Sequence, residues 1–134
     1  MTHYLLDTNI VSDMVRNPQG HIAAHIRKVG ESRVETSIIV ASELRYGAEK
    51  KGSARLSLQL EAVLGALEVL PFEVPADEFY GRIRVELESL GKPIGSNDLL
   101  IAAHALSLGH TLVTDNTREF SRVRSLKIEN WLRL

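Results

Sequence analysis

Four carboxylates occupy positions in this sequence that suit a shared site. Asp7 and Asp115 each directly follow a short apolar run of the kind that forms buried strands. Because the carboxyl ends of parallel strands meet at one edge of a sheet, these two acids are expected at the same edge. Glu43 and Asp98 lie in helix-like segments, Asp98 close to the start of its own. The spacing therefore predicts one acidic cleft built from distant parts of the chain.

The neighbours of Glu43 and Asp98 indicate that both carboxylates face inward. Glu43 shares a helical face with Ile39 and Gly47, and Asp98 lies over Ile101 and its neighbours. A cluster of inward carboxylates repels itself unless protons, basic groups or metal ions neutralise it. Oxygen ligands favour Mg²⁺ or Mn²⁺. A divalent ion held this way suits phosphodiester hydrolysis, because it activates a water and screens the negative charge of the phosphate.

Simpler structural explanations stand beside this interpretation. An Asp after a strand is often a turn residue, and an Asp in the first turn of a helix complements the helix dipole. His104, in an Ala-rich helical run, is interpreted as a packed core histidine and is left out of the catalytic set. Arg45, Lys50 and Arg118 are candidate contacts for the phosphates of a substrate, although a solvated surface explains such charges as well.

The elements that must position these acids alternate along the chain. Strands are predicted at residues 3–6, 33–36, 69–70, 111–114 and 126–128, and helices at 10–15, 21–29, 38–51, 53–67, 75–90 and 99–108. Asn9 is predicted to cap the first helix, and Ser96 or Asn97 the last one. This order predicts an α/β fold, in which helices flank a central, mainly parallel sheet of four to five short strands. No linker or repeat divides the chain, so residues 1–134 are expected to form one domain.

Composition limits the classes of function. The 134 residues include 16 Lys and Arg against 17 Asp and Glu, a net charge of −1, which argues against binding nucleic acid through an overall basic field. The absence of cysteine removes disulfides, thiolate metal sites and cysteine nucleophiles, and fits a reducing compartment. The amino terminus lacks a basic region, and the apolar stretch at residues 99–108 is too short for a bilayer. A cytoplasmic location without membrane contact is expected.

Four motifs, in order along the chain, resemble those of one family. They are Tyr4-Leu-Leu-Asp7-Thr8-Asn9, Ser42-Glu43-Leu44-Arg45-Tyr46-Gly47-Ala48, Ile94-Gly95-Ser96-Asn97-Asp98-Leu-Leu-Ile-Ala-Ala-His104-Ala105 and Leu112-Val-Thr114-Asp115-Asn116-Thr117-Arg118-Glu119-Phe120. The sequence resembles the PIN-domain ribonucleases, and more closely the VapC toxins of bacterial VapBC toxin–antitoxin pairs. The resemblance extends from the first strand to the end of the chain and implies the PIN-like form of the α/β fold.

The resemblance implies roles for these residues. Asp7, Glu43 and Asp98 match the three acids that hold one or two Mg²⁺ or Mn²⁺ ions, and Glu43 or Asp98 would act as general base in RNA hydrolysis. Thr8 and Asn9 match positions that brace the first Asp or contact the cleft.

The fourth acidic position of the family is ambiguous in this sequence. Asn116 stands where the family often has an acid, and Asp115 and Glu119 lie nearby. All three stay open as a fourth or outer metal position.

The resemblance also implies a substrate and partners. The substrate would be RNA, in particular tRNA and specifically the anticodon loop of initiator tRNA. A VapB-like antitoxin would lie in the groove beside the helices at residues 38–67 and deliver a basic residue to the acidic cleft. A homodimer, alone or within a toxin–antitoxin hetero-oligomer, is expected.

Two alternatives remain at this point. The chain could be a catalytically impaired PIN-like module that binds RNA or an antitoxin, although the three core acids argue against this. A haloacid-dehalogenase-type phosphatase also places an Asp after its first strand, but it requires a second Asp where this sequence has Asn9.

Overall fold

The computed structural model describes residues 1–133, which form a parallel sheet flanked by helices. The elements are β1 (Tyr4–Leu6), α1 (Thr8–Arg16), α2 (His21–Val29), β2 (Val34–Ser37), α3 (Ile38–Lys51), α4 (Ala54–Ala66), β3 (Glu68–Leu70), α5 (Ala76–Ser89), α6 (Ser96–Leu108), β4 (Thr111–Val113), α7 (Thr117–Phe120) and β5 (Ile128–Glu129). A 3-10 turn at Glu31–Arg33 precedes β2. The predicted α/β class is confirmed.

The sheet has five strands in the order β3-β2-β1-β4-β5, and all neighbouring strands are parallel. The first strand of the chain therefore lies in the centre. Leu5 of β1 pairs in register with Glu35 of β2 and Leu112 of β4. Because the strands are parallel, the residues that follow β1 and β4 leave the sheet at the same edge, as the sequence predicts.

The core fills both faces of the central strands. Leu5, Leu6 and Leu112 are fully buried, and Ile101 of α6 and Ile10 of α1 are also 0% exposed. Each such side chain contributes about 1.5–3 kcal/mol by leaving water. This packing holds the carboxyl ends of β1 and β4 rigidly. No helix within residues 1–133 combines the length and the apolar character needed to cross a membrane.

Two predicted helix starts are wrong by one or two residues. Asp7, not Asn9, is the N-cap of α1, because its carbonyl already accepts the amides of Ile10 and Val11. Gly95, not Ser96 or Asn97, precedes α6. In both places the polar side chain expected as a cap bonds to a residue elsewhere in the chain. The last strand also lies later than predicted, at Ile128–Glu129 instead of residues 126–128.

His104 is a core histidine, as predicted. It is 1% exposed, its Nδ1 lies 2.8 Å from the Ser37 hydroxyl, and its ring meets Phe72 edge to face. Its Nε2 is buried and makes no hydrogen bond to any residue described. Burial lowers the pKa of His104, so the ring is neutral in the folded protein.

Replacing His104 with Leu is expected to make the free energy of unfolding fall less steeply as the pH decreases below 6.5. The unfolded chain binds a proton at this histidine near its ordinary pKa of 6.5, whereas the folded chain resists protonation. The neutral ring therefore stabilises the fold above pH 6.5, and this contribution is lost as the pH falls through the lower folded pKa. Urea unfolding between pH 5 and pH 8 measures the slopes. His21→Gln, which changes an exposed histidine, is the control variant; a slope in the His104→Leu variant equal to that of the wild type would contradict the prediction.

Candidate active site

Asp7 lies at the centre of the cleft, directly after β1. It is 3% exposed, its amide donates to the Val113 carbonyl at 2.9 Å, and its Oδ2 accepts the Thr114 hydroxyl at 2.7 Å. Burial raises the pKa of Asp7; the Thr114 hydrogen bond opposes that rise, and the charge of Glu43 adds to it. The carboxylate is thus held in place on the sheet while its negative charge is poorly solvated.

Glu43 lies on α3 and is held through both of its oxygens. The Thr8 hydroxyl donates to Oε1 at 2.6 Å, and the Asn97 amide donates to Oε2 at 3.1 Å. Thr8 opens α1 and Asn97 lies in the first turn of α6. Three helices therefore converge on one carboxylate, which fixes its position relative to Asp7.

Asp98 lies in the first turn of α6 and is partly buried. The pKa of Asp98 is raised to about 6. Burial is the largest cause, and the negative charges of Asp7, Glu119 and Glu43 add to it. Four carboxylates therefore share one electrostatic environment. Such a group is costly unless protons or cations neutralise it.

Glu119 is the acid from the region after β4 that faces the cleft. Its Oε1 accepts the Gly95 amide at 3.1 Å and its Oε2 accepts the Asn116 side-chain amide at 2.9 Å. These hydrogen bonds lower the pKa of Glu119, so it stays ionised beside Asp98. Asn116 thus contacts an acid of the cleft, Glu119, through its side-chain amide.

Asp115 points away from the cleft, toward the carboxyl-terminal segment. Its Oδ1 accepts hydrogen bonds from Asn130 at 2.9 Å and from Arg133 at 3.1 Å, and the Asn130 bond is the larger cause of its lowered pKa. Its backbone amide donates to the Asn9 side chain at 3.0 Å. The structure therefore groups Asp7, Glu43, Asp98 and Glu119, and leaves Asp115 outside that group.

The carboxylates of the cleft are less closely grouped than another set of possible metal ligands in the chain. In the part of the chain that the structure describes, the only three metal-ligating residues with ligand atoms all within 4.8 Å of one another are His3, Glu35 and His110, which lie at the other end of the sheet. The cleft carboxylates are therefore more widely spaced. Mg²⁺ retains several waters and takes one or two carboxylates directly, so the oxygen donors present fit it.

The three basic residues considered as RNA contacts lie on the surface. Arg45 of α3 pairs with Glu61 of α4, and Lys50 lies 5.8 Å from the centre of the Tyr46 ring. Arg118 is exposed on α7, next to Glu119. Of these residues, Arg118 is adjacent in sequence to an acid of the cleft.

Sequence comparison decides the family. The PIN domain family model matches residues 4–126. Ribonuclease VapC2 of Rickettsia felis is 39% identical over 130 residues, which cover 96% of this chain and 97% of the relative. The chain belongs to the VapC ribonucleases of the PIN-domain family. A tRNA(fMet)-specific endonuclease VapC of Salmonella typhimurium is 39% identical over 98% of this VapC-family chain and 99% of its own length.

Solved VapC-family structures share the fold over nearly the full length. A crystal structure of VapBC2 from Rickettsia felis bound to a promoter DNA fragment aligns with a TM-score of 0.90, at 36% identity, over 97% of this chain and 99% of that one. DNA-bound VapBC from Salmonella typhimurium aligns with a TM-score of 0.87, at 39% identity, over 98% and 99%. The predicted PIN-like architecture of this VapC-family chain is confirmed.

Two residues that shape the cleft were not predicted to contact its acids from the sequence of this VapC-family protein. Thr114 holds Asp7, and Asn97 holds Glu43. Asn97 had an equally good local explanation as a helix cap. Thr114 stands beside the fourth acidic position in the family motif, and that proximity was the available signal.

Proposed function

We propose that this VapC-family chain is the toxin of a toxin–antitoxin pair and that it hydrolyses tRNA with the help of Mg²⁺ or Mn²⁺. The observation that carries the proposal is the group of four carboxylates around Asp7, with the pKa of Asp98 raised to about 6. The fold gains nothing from such mutual repulsion. A site that concentrates negative charge in this way is suited to recruiting cations and, through them, a phosphodiester.

The metal site we propose consists of Asp7, Glu43 and Asp98, with Glu119 and Asn116 as outer positions. When bound, the ion would supply Lewis-acid stabilisation of charge on the phosphate. Asp7 provides a fixed oxygen on the rigid sheet edge, because Thr114 holds its other oxygen. Asn9 supports the cleft indirectly, by holding the loop after β4 through the amide of Asp115.

Asp98 is the general base that the geometry favours. Both oxygens of Glu43 already accept hydrogen bonds, whereas the side chain of Asp98 makes no hydrogen bond within residues 1–133. We propose that one oxygen of Asp98 binds the ion and that the other, which has no hydrogen-bond partner among residues 1–133, accepts a proton from an attacking water. Glu43, which Thr8 and Asn97 hold in place, would help to position the metal ion and would not transfer a proton.

Initiator tRNA is the substrate that the relatives favour, since the relative from Salmonella typhimurium is named for tRNA(fMet). Arg45, Lys50 and Arg118 are proposed to contact the RNA backbone on the surface around the cleft. This assignment relies on local charge, because the net charge of −1 provides no general attraction to RNA.

The antitoxin is proposed to lie in a groove between α1, α3 and α4. The groove has a volume of about 360 Å³ and is lined by apolar residues such as Leu44, Leu56 and Leu60, and it reaches Thr8 and Glu43. An apolar peptide segment could pack there and place a cationic side chain among the carboxylates. The solved VapBC complexes support such a partner, and a homodimer of the toxin is proposed as the assembly that binds it.

The test is cleavage of end-labelled tRNA by the purified chain. Discrete fragments are expected with Mg²⁺ or Mn²⁺, and none with EDTA or with the Asp7→Asn variant. Circular dichroism should establish that the variant is folded. Mapping the fragment ends on initiator tRNA and on an elongator tRNA distinguishes a specific substrate from general tRNA cleavage.

One result would favour the non-enzymatic alternative. If the folded wild-type chain, free of antitoxin, cuts no RNA with either metal, the chain is a binding module. A gel-shift assay with the same tRNA, and a pull-down with a VapB-like antitoxin, would then identify the partner.

A further inference from the structure

The amino ends of the three central strands carry a cluster that the nuclease site does not use. His3 lies directly before β1, Glu35 lies in β2, and His110 lies directly before β4. The register pairs Leu5 with Glu35, and the amide of Thr111 donates to the His3 carbonyl at 2.9 Å. Side chains that alternate along aligned parallel strands place all three groups on one face of the sheet. Asp7 lies four residues further along, about 13 Å away at the other end of β1.

One carboxylate oxygen lies between the two imidazoles. Glu35 Oε1 is 2.7 Å from His110 Nε2 and 3.1 Å from His3 Nδ1. The side chains of Glu35 and His110 are 12% and 11% exposed, whereas that of His3 is 40% exposed. The cluster is thus mostly enclosed but open to solvent along His3.

The second nitrogen of His110 determines what the first can do. Its Nδ1 lies 3.2 Å from the Leu108 carbonyl, which can only accept, so Nδ1 carries the hydrogen. Gly109, at a φ of +69°, provides the turn from α6 into β4, and this turn brings the His110 ring back to the carboxyl end of α6. In the neutral ring Nε2 then has a lone pair, and that lone pair faces the Glu35 carboxylate. Two acceptors at 2.7 Å require a cation between them, either a proton or a metal ion.

We propose that His3, Glu35 and His110 bind a Zn²⁺ ion. Two imidazoles and one carboxylate are a donor set that suits zinc, with a water in the fourth position, and does not suit Mg²⁺. The hydrogen bond from His110 Nδ1 to a backbone carbonyl is the outer contact that metal-binding histidines usually make.

The geometry needs only a small adjustment. Ligands at about 2.0–2.1 Å from a tetrahedral ion lie about 3.4 Å apart, so the Glu35 oxygen must move away from each histidine nitrogen by only about 0.3–0.7 Å, and the three ligand atoms already lie within 4.8 Å of one another. The exposed His3 ring gives the ion a path of entry. Bound zinc would connect β2, β1 and β4 at the end of the sheet opposite the cleft.

Titration calorimetry of the metal-stripped full chain with zinc, in excess Mg²⁺, tests the proposal. We expect one zinc per chain in the wild type and in two controls, His21→Gln at an exposed histidine and Asp98→Asn in the nuclease cleft. His110→Gln should weaken binding at least about tenfold, and the His3→Gln, His110→Gln double variant should remove it. Zinc at about one hundred times its Kd should raise the Tm of the wild type by about 5–10 °C and leave the double variant unchanged.

Two results would overturn the proposal. One is equal zinc affinity in the wild type and the double variant; the other is no saturable zinc binding by the folded wild type. If circular dichroism shows that the double variant is unfolded, the single His3→Gln variant decides, because His3 is the most exposed member of the cluster, at 40%, and lies outside the hydrophobic core. Co²⁺ provides a second readout, since the visible absorption of tetrahedral cobalt should appear in the wild type and be lost when His3 is replaced.

Discussion

Replacing Asp98 with Asn should lower the rate of RNA cleavage by about 10²–10⁴-fold and, in the same protein without metal, increase stability. The loss of rate follows from removal of the proposed general base. The gain in stability follows from the raised pKa of Asp98, about 6 against 3.8 in the unfolded chain. At a pH between these two pKa values, Asp98 takes up a proton when the chain folds. The free energy of unfolding therefore falls as the pH rises from about 4 to about 6, and it stays at the lower value above pH 6.

The expected gain at pH 7 in EDTA is about 1–2 kcal/mol, since solvent screens part of the effect in the open cleft. Urea unfolding of both proteins at pH 7 and at pH 3.5 measures it, and the gain should be absent at the lower pH. Asp77→Asn is the matched control, because Asp77 is an exposed acid in the first turn of α5. Loss of its favourable interaction with the helix dipole should lower stability by about 0.3–1 kcal/mol, opposite in sign to the effect at Asp98, and leave cleavage unaltered. A variant at Asp98 that cuts RNA at the wild-type rate would contradict its catalytic role.

Replacing Trp131 with Ala should destabilise the protein by about 3–5 kcal/mol. This side chain is 1% exposed near the carboxyl end of the chain, where its ring stacks on His25 at 4.2 Å and lies 5.2 Å from the Tyr4 ring. Its Nε1 donates to Glu129 at 2.9 Å. One residue thus packs the end of the chain against α2 and β1.

Far-UV circular dichroism in urea is the appropriate measurement, because the chain has a single tryptophan and the variant loses its fluorescence. Leu58→Ala provides a control in which an apolar side chain of α4 that is 72% exposed is shortened. Its stability should stay within about 0.5 kcal/mol of the wild type. A loss below about 1 kcal/mol at Trp131 would mean that the carboxyl-terminal segment contributes little to the fold.

Local sequence patterns predicted the main elements because they record burial and helix ends. The helix at His21–Val29 ends at Gly30, and the helix at Ile38–Lys51 begins after Ser37, whose hydroxyl accepts the Ile39 amide at 3.0 Å. Both helices have the predicted bounds. Asp7 at the end of the first strand and His104 in the core were also predicted correctly, since each depends on nearby residues.

What the sequence could not predict depends on contacts between distant residues. Asn9 and Asn97 look like helix caps, but their side chains bond to Asp115 and Glu43 respectively. Which acid after β4 turns toward the cleft depends on partners at both ends of that loop, so spacing left Asp115 and Glu119 equally plausible. The pairing of His3 and His110 through Glu35 requires the strand order, which periodicity alone does not contain.

The order of strands also affects the protein while it is being made. Domains begin to form from the amino terminus as the chain leaves the ribosome. The first strand, however, receives its neighbour β4 from residues 111–113, when most of the chain has been synthesised. A nascent chain that ends earlier carries Asp7 without the hydroxyl of Thr114 and without a finished sheet edge. The cleft is therefore completed only after β4 has been synthesised, and a product that terminates before β4 lacks the assembled group of acids.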